Sequence, residues 1–392
     1  MAEYDFIIIG AGAAGLMMAD GMGKDPAFNN KSILLLDKDA KKTNDRTWCY
    51  WEQGDGIFDD ILYKTWDQVY VSGNPLKKSF PIAPYTYKML RGIDFYETLL
   101  HRIESYPNVV FSQETVVDII NDADRSVKIN TDRNSYEATQ VFDSRFHYKK
   151  IQQSPKYPIL QQHFIGWFIK TEDPIFNDAQ ATFMDFSIEQ KGNTRFMYVL
   201  PFSKTEALVE YTLFSESTLP ESDYEKAITD YMHTHLNCSN YTVSEKEKGS
   251  IPMTCNDFNH VNSTKVFHIG TAGGWSKPST GFTFRNTAKK SKCLIEFLKT
   301  NKPLAKFNKR NRFWYYDLLL LNILYRDNHL GKAIFESLFK KRSPALVLKF
   351  LDEETTLYED MRIMMAPKPF PFVKSFLRHL YWTITMRKKE WH

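Results

Sequence analysis

Three glycines and one acid near the start of the chain have the residue types and spacing of a phosphate cradle. Gly10, Gly12 and Gly15 fall in the run Gly10-Ala11-Gly12-Ala13-Ala14-Gly15, and Asp37 closes a second apolar run, Ser32-Ile33-Leu34-Leu35-Leu36, some twenty residues further on. Gly10 suits a tight turn, Gly12 lets backbone approach a pyrophosphate, and Gly15 lets a helix pack close to a strand. The helix that follows, suited by Leu16, Met17, Met18 and Ala19, would then offer free N–H groups and its positive dipole end to phosphates. An acid at the position of Asp37 accepts hydrogen bonds from a ribose hydroxyl. This constellation predicts a bound dinucleotide. Farther along, Gly270-Thr271-Ala272-Gly273-Gly274 opens another glycine turn, which continues through Pro278-Ser279-Thr280-Gly281. Backbone amides at Gly270, Ala272 and Gly281 suit an isoalloxazine edge or a ribityl phosphate.

Two charged side chains stand out between these turns. Arg46 lies in Asn44-Asp45-Arg46-Thr47-Trp48-Cys49-Tyr50-Trp51-Glu52, a stretch too aromatic for a solvated loop. It is close enough in sequence to Asp37 to reach a cofactor phosphate or a substrate pocket, or else to stack on Trp48 or Trp51. Glu210 lies in Leu208-Val209-Glu210-Tyr211-Thr212-Leu213-Phe214. Strand alternation puts Leu208, Glu210, Thr212 and Phe214 on one face. A carboxylate in the middle of an apolar strand is rarely there without a partner or a purpose.

The elements needed to hold these residues are legible from the pattern. Phe6 to Ile9 reads as a strand buried on both faces, as in parallel sheets. Residues 95–105 read as a helix, 109–111 as a strand, 115–120 with 127–129 as a strand pair, and 141–145 as a buried strand. Between Tyr157 and about Gly249 the texture turns to alternating β patterns, with residues 195–202 and 207–214 flanking Ser203-Lys204-Thr205-Glu206 as a hairpin. Trp66 to Phe80 suggests a second hairpin about Gly73-Asn74-Pro75. The strand Lys265 to Ile269 leads into the second glycine turn and a helix, and beyond Asn301 the pattern is helical. The predicted fold is α/β: a Rossmann-like dinucleotide-binding domain (1–65, 88–150 and 250–300), an inserted antiparallel-sheet substrate domain (66–87 and 151–249), and a C-terminal helical region (301–392).

Composition narrows the function classes. The 392 residues carry a net charge of +4, which does not point to nucleic acid. The basicity is concentrated at the end: six Lys or Arg against one acid in residues 367–392 leave the rest of the chain near −1. Cys49, Cys238, Cys255 and Cys293 lack metal-ligand spacing and suggest a reducing compartment. His233 and His235 resemble a metal pair by spacing alone, and no metal is expected. The first strand begins too early for a cleavable leader. The apolar run Trp314 to Tyr325, interrupted by Asp317 and Asn322, is too short to span a membrane.

The sequence resembles the flavin-dependent lycopene cyclases of carotenoid biosynthesis, particularly the bacterial β-cyclases. The resemblance runs over nearly the whole chain through residues 44–52, Gln162-His163-Phe164-Ile165-Gly166-Trp167, Met184-Asp185-Phe186, Tyr198-Val199-Leu200-Pro201-Phe202, residues 208–214, Ile251-Pro252-Met253-Thr254 and residues 269–283. It implies an enzyme that binds FAD, active in its reduced form with NAD(P)H as reductant. The implied reaction closes β-ionone rings on the ends of lycopene, giving γ-carotene and β-carotene, without net redox change. The family's catalytic glutamate lies in a Leu-x-Glu-x-Thr strand, which falls on Glu210 here. Phe350-Leu351-Asp352-Glu353-Glu354-Thr355 resembles the plant acidic signature, but its charged helical setting suggests solvated acids.

Such a reaction needs a proton delivered to a terminal double bond, a sheltered tertiary cation, and a second proton removed. Apolar surroundings, here Leu208, Phe214 and Phe202, would keep Glu210 protonated. Asp143 and Arg145 are expected either at the flavin or as strand-end caps. Other readings are a flavin monooxygenase or prenyl reductase on the same fold, and a lipid carrier of the Rab-escort type that has lost its cofactor. Lycopene dwells in the bilayer, so the chain is expected in the cytoplasm at the inner face of the cell membrane. In the tail, Val373, Leu377, Leu380, Tyr381 and Ile384 share a helical face flanked by Lys374 and Arg378, with Trp382, Trp391 and Arg387-Lys388-Lys389 suited to a headgroup layer.

Overall fold

The computed structural model describes residues 2–73, 76–121, 126–151, 156–300 and 302–389. The chain opens with β1 (Ala2–Ile9), α1 (Ala13–Gly23) and β2 (Ile33–Asp37), followed by β3 (Thr47–Gln53), β4 (Lys64–Trp66) and β5 (Gln68–Ser72). Next come β6 (Lys77–Pro81), β7 (Tyr85–Arg91), α2 (Gly92–Glu104), β8 (Val109–Gln113), β9 (Val116–Asn121), β10 (Val127–Thr131) and β11 (Ser135–Asp143). The middle of the chain is β12 (Ile159–Thr171), β13 (Ala181–Asp185), β14 (Arg195–Pro201), β15 (Glu206–Ser215), α3 (Glu221–Thr234) and β16 (Tyr241–Thr254). After β17 (Val266–His268) the chain is helical: α4 (Phe284–Leu298), α5 (Arg312–Arg326), α6 (Gly331–Lys341), α7 (Pro344–Leu351), α8 (Leu357–Met364) and α9 (Pro369–Lys389).

The first sheet has the order β8-β2-β1-β11-β10-β9, with β17 lying beside the second half of β11. Its β8-β2-β1-β11 and β11-β17 pairings are parallel, and β9 and β10 form an antiparallel edge. Ile7, Ile8 and Ile9 of β1 are buried, as are Ile33, Leu34, Leu35 and Leu36 of β2, which a sheet covered on both faces requires. Helix α1 is buried around most of its circumference and packs against α2 and α4. Its small residues make that possible: a Cβ at Gly15 would meet the Gly10 carbonyl oxygen at 1.8 Å, and one at Gly21 would meet Ile295 Cδ1 at 2.3 Å.

The second sheet has the order β16-β12-β15-β14-β13-β5-β6. The 195–202 and 207–214 hairpin is present as β14 and β15, and the hairpin about Gly73 as β5 and β6, with Asn74 and Pro75 outside the described residues. This sheet is not purely antiparallel. β13 runs parallel to β5, because the early hairpin joins from a distant part of the chain and its direction is not set by a tight turn. One face is covered by α3, whose Tyr224, Ile228, Tyr231 and Met232 make an apolar stripe against Ile165, Val209 and Leu213. The other face turns toward the glycine turns of the first sheet, and the C-terminal helices α5 to α7 close one side with Leu318, Phe335 and Val347. A small third sheet, β3-β7-β4, lies in the same core through Trp51, Tyr87 and Trp66.

Candidate functional site

The two glycine turns and the inner face of the second sheet enclose a cavity of about 540 Å³. Its first wall is the turn after β1. Gly10 holds φ at +96°, and its amide donates to the Leu36 carbonyl at 2.7 Å, which ties the turn to β2. Gly12 caps α1, and a Cβ built there meets no atom within 4 Å: the backbone faces open cavity at the point where a pyrophosphate would lie. Ala13 and Ala14 line the cavity beside it. Gly15 sits behind the turn, where only glycine fits. Asp37 is also behind the turn. One of its oxygens accepts the Ala11 amide at 2.5 Å, the other accepts the Asp39 amide at 2.8 Å, and Lys41 approaches to 3.4 Å.

The second wall is the turn after β17. Gly270 has φ at +60°, and a Cβ there would meet Ala14 Cβ at 2.8 Å, so the two glycine turns touch. Gly270 and Gly281 line the cavity, whereas Ala272 is buried behind it. Three side-chain oxygens of cavity-lining residues, Gln162 Oε1, Thr280 Oγ1 and Thr287 Oγ1, are buried without a hydrogen-bond partner among the described residues. Buried polar atoms ordinarily find partners. Left unpaired beside the two glycine turns, these fit the heteroatoms of a large polar ligand such as FAD. Arg46 also lines the cavity; it is exposed beside Asp45, at 3.5 Å.

The third wall is the inner face of the second sheet. Leu208, Glu210 and Phe214 of β15 line the cavity with Phe196 and Tyr198 of β14 and Phe164 of β12. Glu210 is 7% exposed and accepts a hydrogen bond from the Thr212 hydroxyl. Burial raises its pKa far above the usual carboxylate range; the nearby Glu247 adds to the rise, and Thr212 opposes it. Phe202 does not join this wall; it stacks on Phe168 and meets Tyr63 edge-to-face instead. Tyr198 and Tyr87 share a 2.5 Å hydroxyl–hydroxyl hydrogen bond on the same side.

Glu247 escaped the sequence reading. β16 carries Ser244-Glu245-Lys246-Glu247-Lys248, which reads as a solvated edge. Only the register shows that Glu247 faces inward: Gly166 of β12 pairs with Glu210 on one side and with Glu247 on the other. Burial and Glu245 raise the Glu247 pKa, against the opposing pull of Thr47 and Arg46.

The remaining candidates take structural roles. Asp143 is buried in a 2.9 Å ion pair with Arg145, which also donates to the Val116 carbonyl; the pair caps the strand. Glu353 and Glu354 are not simply solvated. Glu353 binds the buried Lys277 at 3.1 Å and Asn311 at 2.8 Å, and Glu354 binds Lys289 at 2.8 Å. His233 and His235 are exposed on α3 and just after it, and no group of three or more metal-ligating side chains occurs among the described residues.

Comparison with known proteins agrees with this geometry. The family model described as "Lycopene cyclase protein" matches residues 5–378. The chain is 25% identical over 301 residues to the lycopene beta cyclase of Capsicum annuum, a match covering 72% of this chain and 58% of that protein. It is 28% identical over 153 residues to a lycopene beta-cyclase of Paracoccus sp. (strain N81106 / MBIC 01143), covering 38% of each. The match thus spans little more than half the length of the pepper protein. Among solved structures, a geranylgeranyl bacteriochlorophyll reductase-like protein from Thermoplasma acidophilum superposes with a TM-score of 0.61 at 12% identity, over 97% of this chain and 100% of that one. A p-nitrophenol 4-monooxygenase from Pseudomonas putida does so with a TM-score of 0.58 at 14% identity, over 96% and 98%. These likenesses show the fold alone, one that a flavoprotein/dehydrogenase from Cytophaga hutchinsonii shares with a TM-score of 0.59 at 14% identity, over 93% of this chain and 99% of that one.

Proposed function

This chain belongs to the lycopene cyclase family, and we propose that it is a lycopene β-cyclase: an FAD-dependent isomerase closing β-ionone rings on the ends of lycopene. The observation that carries the reading is Glu210, a carboxyl kept protonated by burial in the same cavity that opens onto Gly12. A carboxyl ionised at neutral pH has no proton to give; one in apolar surroundings does. Gly12, Ala13, Gly270 and Gly281 would hold the cofactor, with Asp37 and Arg46 completing its binding region. When bound and reduced, with NAD(P)H as the electron source, the flavin would supply negative charge beside the developing cation.

The chain's own residues provide the rest. Glu210 donates its proton to the terminal double bond, with the Thr212 hydroxyl fixing the carboxyl's orientation. The faces of Phe196, Tyr198 and Phe214 shelter the tertiary cation and exclude water from it. The substrate gains one proton and loses another, so no redox change results. The carotene reaches the site from a membrane surface, where the exposed apolar face of α9 docks, placing the protein peripherally at the cytoplasmic side. Expression in bacteria that accumulate lycopene tests the reading. Pigment absorption should shift from lycopene to γ-carotene or β-carotene; unchanged lycopene in cells holding the flavin-loaded protein would rule it out.

A further inference from the structure

The inner face of the second sheet carries two carboxyl groups in one row. Across the strands β14, β15, β12 and β16, in-register pairing aligns Tyr198, Glu210, Gly166 and Glu247. In-register residues of neighbouring strands project from the same face, with strands about 4.8 Å apart. Between the two glutamates stands a glycine, the one residue type that puts no side chain in the gap. A Cβ on Gly166 would lie 2.8 Å from Leu208 Cδ1, 3.2 Å from Glu247 Cγ and 3.5 Å from Glu210 Cβ, so both glutamates and an apolar methyl already crowd over the glycine. Both line the cavity. They differ in exposure: Glu210 is buried, whereas Glu247 is partly exposed and can trade protons with water.

We propose that Glu247 is the second catalytic carboxyl of this centre, the base that removes the departing proton while Glu210 supplies the entering one. This rests on the ring-closing reading above. In each closure the Glu210 O–H proton passes to the inner, hydrogen-bearing carbon of the terminal double bond, leaving a tertiary cation on the outer carbon that carries the two methyls. The electron pair of the internal double bond closes the new carbon–carbon bond. A proton then leaves the carbon beside the resulting cation for the Glu247 carboxylate, and that C–H electron pair becomes the ring double bond. The substrate gains and loses one proton. The enzyme resets when a proton leaves Glu247 to water and one returns to Glu210.

The two carboxyls need opposite protonation states, and although burial raises both, the groups that oppose the rise differ between them. Glu210 faces Tyr198, Tyr87, Cys49 and Glu247, and among the described residues no cation contributes to its titration. Glu247 faces Glu210 across Gly166, Glu245 on its own strand, and Arg46 and Thr47 at the start of β3. Arg46 and Thr47 favour its charged form; Glu245 and burial oppose it. Burial raises both carboxyls, but Thr47 and Arg46 hold the rise at Glu247 below that at Glu210, so Glu247 is the first of the pair to ionise and Glu210 the last to give up its proton.

The test uses purified, flavin-loaded, reduced full-length protein with lycopene in liposomes, scored for rings by chromatography across pH. The wild type should show a bell-shaped rate: the acid limb reports Glu247 ionisation and the alkaline limb Glu210 deprotonation. Glu247→Gln should lower the rate at least about 100-fold, keep its flavin, and lose the acid limb. Glu247→Asp should recover roughly tenfold over Gln and keep that limb. A Glu247→Gln protein as fast as wild type, or slowed with its acid limb intact, overturns the proposal. If Glu247→Gln loses flavin, Glu247→Asp decides: a folded Asp variant without an acid limb overturns it. A wild type that makes no rings overturns the ring-closing reading and this inference with it, whereas a ring-forming wild type matched by Glu247→Gln overturns this inference alone.

Discussion

Glu210 is costly to the fold, and that cost has a measurable sign. Its pKa is raised in the folded chain, so between the ordinary glutamate value of 4.5 and the raised one the native state holds a proton that the unfolded state has lost. Stability contributed by that proton is therefore present below about 4.5 and declines as pH rises through the folded pKa. Glu210→Gln carries no charge at any pH. It should unfold at higher denaturant concentration than wild type at pH 8, by roughly 2 kcal/mol, while matching it at pH 4.5. The same variant should lose ring formation by at least about 100-fold with its flavin retained. Glu353→Gln should keep near-normal turnover, since Glu353 is engaged with Lys277 and Asn311. A ranking with Glu353→Gln the more damaged in turnover would move the acid to that segment. Glu210 was visible in the sequence because a charge interrupts an apolar strand. Glu247 was not, because its own strand is polar; only pairing across Gly166 places it in the cavity.

Among the elements, the glycine turns were the most legible part of the fold, since their geometry demands the residue type. Gly10 with φ at +96° and Gly15 against the Gly10 carbonyl leave no alternative to glycine. Gly12 is different: space at its Cβ is open, so a substitution there should fold and fail only at the ligand. Gly12→Val is expected to give a stable protein that purifies without yellow colour, measured as flavin absorbance per chain; full flavin content would remove the cradle from this turn. The joint between the second glycine turn and the C-terminal helices was not legible. Lys277, 2% exposed, is held by Asp317 of α5 and by Glu353 after α7, contacts between segments far apart in sequence. Burial raises the Glu353 pKa, but Lys277 and Asn311 outweigh it and the net shift is downward. Its contribution is thus present above 4.5 and lost as pH falls. Glu353→Gln should cost about 1–2 kcal/mol in urea unfolding at pH 7 and progressively less as pH falls below 4.5. The parallel pairing of β13 with β5 was equally hidden, because no local turn encodes it.

At the scale of the whole molecule, the apolar surface is distributed unevenly. Helix α9 leaves Phe370, Val373, Phe376, Leu377, Leu380, Tyr381 and Ile384 exposed, while Ser375 on its inner side donates to the Leu319 carbonyl of α5 at 3.0 Å. The stripe read from the sequence therefore faces outward. Helix α8 and the residue after it add exposed Leu357, Tyr358, Met361 and Met365, which the tail pattern alone did not reveal. No helix among the described residues is long and apolar enough to cross a membrane. In the docking proposed above, this surface lies in the headgroup layer. Some of the basic charge is already engaged, Lys374 lying 3.7 Å from Asp327, while the side chains beyond Ile384, including Trp391, fall outside the described residues. Binding to an anionic bilayer should then rest on both terms: roughly 1 kcal/mol per free basic residue, and about 1.5–3 kcal/mol for each large apolar side chain fully buried. The double change Leu377→Asp with Leu380→Asp keeps the Ser375 hydrogen bond to Leu319 and puts two charges on the outer face. It should keep flavin content and thermal melting near wild type while reducing co-sedimentation with anionic liposomes at least about tenfold. High salt should weaken pelleting of the unaltered chain less than these substitutions do, because screening removes the charge contribution alone. Equal pelleting of the altered and unaltered proteins would locate the docking surface away from α9.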